Sequence, residues 1–107
     1  MSRSVQIDAD KVRNLKFNYN ALIMLEEDFN LDITKLGTQF KLSDFRTILY
    51  CGFKHEDPDL TLEQVGDIID IILEKHGMEY LAQKIGEAFE KAFGKLGNGT
   101  KNLKEKK

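Results

Sequence analysis

The chain has 107 residues, 16 Lys and Arg against 18 Asp and Glu, one Cys and no Trp, with a formal net charge of −2. This length suits one domain and is too short for two separate cores. One Cys cannot form an internal disulfide, which excludes a disulfide-stapled secreted fold and favours the cytoplasm, and the apolar runs are too short for a membrane helix or a signal peptide.

The first predicted element is a β-hairpin over 4–17, because apolar and polar residues alternate in two short segments. Val5 and Ile7 alternate in the first segment, and Leu15 and Phe17 alternate in the second. The polar segment between them consists of turn-forming residues, which completes the pattern of a hairpin. Two strands alone are marginally stable in water, so this hairpin must pack on the remainder of the chain.

A change to helical spacing follows the hairpin and predicts a first helix over about 19–29. Either Asn18 or Asn20 can cap its first turn, because an Asn side chain accepts a hydrogen bond from the free backbone N–H groups there. A single short turn that ends in a glycine is expected over 32–37.

A second helix is predicted over about 43–54, with Ser43 as its N-cap. Cys51 falls on its apolar face, and no cluster of His or Lys is placed to lower the pKa of the thiol. We therefore interpret Cys51 as a buried structural thiol rather than a nucleophile. The only proline, Pro58, lies in the loop that follows and ends the helix.

The third helix, over about 62–76, has the clearest local signal. Thr61 and Gln64 stand at the spacing of a capping box, and Gly77 suits the left-handed residue that follows a helix. The apolar arc over 65–73 is wider than one neighbouring element needs. We therefore expect this helix to be central in the fold.

The last helix is predicted over about 78–94, where glycines end it. Gly86 inside it would let another backbone approach, either from within the fold or from another subunit. Phe89, Phe93 and Leu96 form a stripe at helical spacing, which is typical of a core face and also of a face that docks onto a partner. These four residues are the candidate partner-binding residues.

The predicted fold is mainly α (α+β), with an N-terminal β-hairpin followed by a compact bundle of about four helices in one domain over 1–96. Residues 97–107 are predicted to form a basic, flexible tail. Five of the 16 basic residues but only one of the 18 acidic residues lie in 94–107, so this segment carries +4 and 1–93 carries −6. An acidic body argues against nucleic-acid binding, which needs clustered Lys and Arg.

No pattern of catalytic or metal-binding residues stands out in the chain. The acidic loop over 55–59 lacks the Gly and Glu positions of a calcium loop, and His55 and His76 lack the paired ligands of a zinc site. The Gly-Asn-Gly segment over 97–99 does not connect a strand to a helix, as a phosphate-binding loop does. We therefore expect no enzyme activity, no cofactor and no metal.

The order of three short motifs resembles a known family. Leu15-Lys-Phe17 ends the hairpin, Leu25-Glu-Glu27 lies on the first helix, and Leu60-Thr-Leu-Glu-Gln-Val65 follows an acidic loop with a proline. The same motifs in the same order are found in the tail assembly chaperones of long-tailed bacteriophages and of related gene transfer agents. The resemblance covers about residues 5–75.

The resemblance implies a non-enzymatic protein of the host cytoplasm that is absent from the mature virion. Such chaperones bind the tape measure protein, keep it soluble and help to recruit tail tube subunits. The alternative is a structural virion component such as a head–tail connector or a tail terminator. Because a small domain gains little stability from its own core, we also predict a homo-oligomer.

Overall fold

The order of elements along the chain confirms the predicted fold class. The structure, a computed structural model, describes residues 4–31 and 41–105, and it describes side chains as far as Phe93. Its elements are β1 (Val5–Asp8), β2 (Val12–Leu15), α1 (Tyr19–Glu27), α2 (Leu42–Phe53), α3 (Leu62–Lys75) and α4 (Met78–Glu105). The turn predicted over 32–37 lies outside the described residues.

The two strands pair antiparallel, and their alternation decides which side chains enter the core. Val5 pairs with Leu15, and Ile7 pairs with Arg13. The Val5, Ile7 and Leu15 side chains are buried, as the period of two predicts. Arg13 points to the same face, where only 5% of its surface is exposed. A charged side chain therefore occupies an inward position of the hairpin.

The end of the hairpin packs directly on α2. The backbone N–H of Lys16 donates a hydrogen bond to the carbonyl of Gly52 at 3.0 Å. A Cβ atom at Gly52 would overlap the Leu15 side chain and would lie 3.1 Å from the Phe17 ring. The Phe17 ring in turn stacks on Phe89 of α4, with 4.3 Å between ring centroids. The missing side chain at Gly52 therefore lets the hairpin, α2 and α4 share one core.

Side-chain caps explain where α1 and α3 begin. Thr61 and Gln64 make both hydrogen bonds of the predicted capping box, at 3.1 and 2.9 Å. Asn18 caps α1 by accepting a hydrogen bond from the backbone N–H of Ala21. The predicted cap Ser43 is wrong, because α2 begins earlier and Lys41 is its N-cap.

A residue with a positive φ angle follows α1 and α3, whereas the end of α4 differs from its prediction. Asn30 and Gly77 have positive φ angles after α1 and α3, where the chain leaves each helix. The prediction that the last helix ends near 94 is wrong, since its backbone continues to Glu105. A glycine costs a helix only about 1 kcal/mol, and the Lys, Leu and Glu residues beyond Gly94 favour helix. The flexibility of the basic tail stays a prediction.

The centre of the fold is α2 rather than α3. It packs against α1, α3 and β2, whereas α3 packs mainly against α2 and α4. Expecting α3 to be central was therefore wrong: its wide apolar arc is only partly covered, and Ile69 and Leu73 stay half-buried. Within the described ranges, no helix is both long and apolar enough to span a membrane.

Polar contacts tie the turn of the hairpin to the junction of α3 and α4. The Asp8 carboxylate pairs with His76 at 2.9 Å and with Lys75 at 3.3 Å. The backbone N–H of Asp8 donates to the hydroxyl of Tyr80, whose ring stacks on His76. The hydrogen bond from His76, reinforced by Lys75, holds the pKa of Asp8 below its ordinary value.

We expect Gly52→Ala to lower the free energy of unfolding by about 1–3 kcal/mol, because the added methyl group overlaps Leu15. Gly86→Ala is the matched control, since it makes the same change inside a helix and meets open space there. It should raise the free energy of unfolding by roughly 0.5–1 kcal/mol. Urea unfolding of both variants measures the difference, and equal effects at the two positions would contradict this account of the core.

We expect acid to weaken the attachment of the hairpin. The pKa of Asp8 is lowered in the folded state by the hydrogen bond from His76, so its stabilising effect is complete above about pH 4. It is lost as the pH falls through the lowered folded-state pKa. Asp8→Asn should therefore reduce the urea midpoint at neutral pH, and its curve should converge with that of the wild type in acid.

Asp70→Asn is the control for this acid effect, because Asp70 is exposed on α3 and pairs with none of the described residues. Its urea midpoint should follow the wild type at every pH. A constant gap between Asp8→Asn and the wild type down to about pH 2 would show that the charge of Asp8 contributes nothing.

Candidate functional site

The structure separates the four candidate residues of the last helix. Phe89 is buried in the core against Phe17, and Phe93 is half-buried and stacks on Phe89. The core interpretation of Phe89 is thereby confirmed. Gly86 is exposed, and a Cβ atom there would meet no atom within 4 Å, so no described backbone crosses it. The Leu96 side chain lies outside the described residues.

An apolar groove opens instead between α2, α3 and the start of α4. It encloses about 380 Å³. Its walls are formed by apolar side chains from all three helices: Leu42, Phe45, Ile69, Leu73, Met78 and Leu81. We call this feature the apolar groove. One wall of the groove is the part of the apolar face of α3 that the core does not cover.

The rim of the apolar groove exposes large hydrophobic side chains to water. Leu42 is 77% exposed at the first residue of α2, and Met78 is 40% exposed at the first residue of α4. The floor is better covered, since Leu81 is fully buried. Contiguous exposed apolar surface of this kind is typical of a protein–protein interaction site. The arrangement can hold an apolar segment of another molecule.

In the described part of the chain, one charged side chain lines the apolar groove, Arg46 of α2. Its stem lies over Gly66 of α3, because a Cβ atom at Gly66 would be 3.7 Å from the Arg46 Cδ atom. The guanidinium group is exposed and makes no ion pair or hydrogen bond with the described residues. A positive charge that pairs with none of the described residues therefore borders the apolar surface.

A second cleft lies between the hairpin turn and α3 and has an acidic lining. Arg13 at its base donates two hydrogen bonds to Asp10, at 2.8 and 2.9 Å, and lies 3.7 Å from Asp57. Its guanidinium carbon is 5.4 Å from the centroid of the Phe53 ring. Hydrogen bonds from Arg13 lower the pKa of Asp10. These contacts satisfy a buried charge, so the cluster has a structural role.

The loop after α2 is also fastened to the hairpin. Asn14 donates a backbone and a side-chain hydrogen bond to Glu56, and His55 Nε2 donates to the Asn14 carbonyl at 2.7 Å. The side-chain hydrogen bond from Asn14 lowers the pKa of Glu56. In the described part of the chain, no group of three His, Cys, Asp or Glu side chains is placed to hold a metal ion. The hydrogen bonds of Glu56 and His55 with Asn14 hold this loop against the hairpin.

Three features of these sites were not found in the sequence. With Ser43 as the predicted N-cap of the second helix, Leu42 was assigned to the loop before it. The inward position of Arg13 has a signal, since it shares the period of two with Leu15 and Phe17. Because Arg13 is charged, it was not predicted to face the core. The apolar groove itself has no local signal, because its walls come from three separate helices.

We compared the chain with protein-family models, curated proteins and solved structures, and none of them matches it. The motifs that resemble the phage family lie at the end of β2, in α1, and in the segment that leads into α3. The structure places them on the hairpin core and the capped start of α3.

We expect Cys51 to resist modification in the folded protein. The side chain is 2% exposed, and burial raises the pKa of its thiol to about 12, with the nearby Asp28 adding to the effect. A disulfide reagent at about pH 8 should react with the urea-unfolded chain at least 100-fold faster than with the folded chain. Cys51→Ala supplies the blank, and comparable rates for folded and unfolded protein would contradict a buried thiol.

Proposed function

We propose that this protein is a tail assembly chaperone that binds the tape measure protein of a long-tailed phage through the apolar groove. The observation that carries the proposal is the exposed apolar surface shared by α2, α3 and α4. The resemblance over about residues 5–75 supplies the identity of the partner. In this proposal the chaperone keeps the tape measure protein soluble and helps tail tube subunits to assemble around it.

The shape and chemistry of the apolar groove suit a helical segment. An amphipathic helix presents apolar side chains at every third or fourth position, and a groove between helices receives them. Burying a leucine side chain completely contributes about 1.5–3 kcal/mol, so covering Leu42 and Met78 provides a driving force for binding. A tape measure protein, as a long helical chain, offers repeated stripes of this kind.

Co-expression with the tape measure protein encoded beside this gene tests the proposal. We expect a soluble complex that co-purifies, and an insoluble tape measure protein when it is expressed alone. Unchanged solubility with nothing co-purifying would overturn the proposal. Detection of this protein in purified phage particles would instead support the alternative, a structural virion component such as a head–tail connector or tail terminator.

Charged substitutions at the rim test the location of the site. We expect Leu42→Lys and Met78→Lys each to weaken binding of the tape measure protein by at least about tenfold, because a lysine cannot be buried against an apolar stripe. Both side chains are exposed in the free protein, so unfolding should change by less than about 0.5 kcal/mol.

Tyr19→Lys is the matched control for the rim variants. Tyr19 is 74% exposed and lies at the start of α1, outside the apolar groove. The tyrosine variant should bind the tape measure protein as the wild type does. Equal losses for the Tyr19 and Leu42 variants would show that general surface hydrophobicity, and not the apolar groove, accounts for binding.

A further inference from the structure

We infer that the apolar groove selects a partner helix that carries a carboxylate beside its apolar stripe, and that Arg46 reads this carboxylate. The inference rests on the proposed function and specifies the chemistry of the helix that the groove binds. Arg46 borders the apolar groove, its stem lies against α3 at Gly66, and the surrounding protein is acidic.

Arg46 is placed to act on a bound helix rather than within the fold. Among the described residues, it is the only charged one that lines the apolar groove. The other arginine in the described ranges, Arg13, is buried and holds Asp10 and Asp57. Arg46 has no such partner among the described residues, although the body of the protein has an excess of acidic side chains. Its planar group can bind a carboxylate with two parallel hydrogen bonds.

The stem of Arg46 lies against α3 at Gly66. A Cβ atom at Gly66 would lie 3.7 Å from the Arg46 Cδ atom, which is an ordinary van der Waals contact. The stem thus adds to the apolar wall, and the guanidinium group stays at the edge, where a flanking carboxylate of a bound helix would lie.

The net charge of residues 1–93 favours the opposite kind of partner helix. Residues 1–93 carry 17 acidic and 11 basic side chains, a net charge of −6. Long-range electrostatics alone would therefore attract a basic helix and repel an acidic one. Preference for an acidic helix must instead come from a basic group close to the bound helix, and Arg46 is the basic residue that the described part of the chain places at the groove. The two explanations predict opposite orders of affinity.

Two amphipathic helical peptides of about 18 residues provide the probe. They share one leucine stripe, and the positions that flank it hold Glu in one peptide and Lys in the other. Fluorescence anisotropy at low salt, about 0.05 M, measures their affinity for the full chain. We expect the wild type to bind the Glu peptide about 5-fold more tightly than the Lys peptide, and Arg46→Glu to reverse this order.

Two further variants separate the charge of Arg46 from its stem and from net charge. Arg46→Met keeps an apolar stem and should abolish the preference while both peptides still bind. Lys11→Glu makes the same change in net charge as Arg46→Glu, at an exposed residue of the hairpin turn outside the groove, and should keep the wild-type order. Circular dichroism checks that each variant is folded.

Several results would overturn the inference. A wild-type preference for the Lys peptide, no preference, or no binding of either peptide would each do so, as would an equal shift for Lys11→Glu and Arg46→Glu. Failure of the proposed function has a different signature. The Glu peptide would then bind in the expected order, yet the tape measure protein would neither co-purify nor gain solubility.

Discussion

The packing of the hairpin on α2 at Gly52 is the contact on which the rest of the structure depends. A two-stranded hairpin has too little core to be stable alone, so its inward side chains need a helix surface at close range. Gly52 allows that approach because no Cβ atom separates the α2 backbone from Leu15 and Phe17. Phe17 then contacts Phe89 and brings α4 to the same core.

Polar contacts fix the orientation that this packing permits. Arg13 and Asn14 connect the hairpin to the loop between α2 and α3, at Asp57 and Glu56. Asp8 connects it to the junction of α3 and α4. Hydrogen bonds in these contacts lower the pKa values of Asp8, Asp10 and Glu56. Part of the acidic character of the body is therefore structural, because the carboxylates of Asp8, Glu56 and Asp57 fasten the hairpin to the rest of the chain.

None of the residues that line the apolar groove comes from the hairpin or α1. The hairpin buries the central face of α2 and one face of α4, and this leaves the first residues of both helices, Leu42 and Met78, exposed beside the uncovered flank of α3. Leu42 and Met78 are therefore exposed at helix starts, whereas Phe89 and Phe93 of the aromatic stripe of α4 are buried and half-buried. Phe89 belongs to the core, while the proposed partner helix occupies a surface built from three elements.

The sequence by itself determined the class of fold, the hairpin, the capping box at Thr61 and the left-handed residue Gly77, because each depends on neighbours within a few positions. It also placed Cys51 in the core. Only the tertiary structure decided which glycine permits close packing, since Gly52 and Gly86 look alike along the chain and differ in what lies across from them. The tertiary structure alone also decided the apolar groove and the position of Arg46, because both arise where helices that are distant in sequence meet.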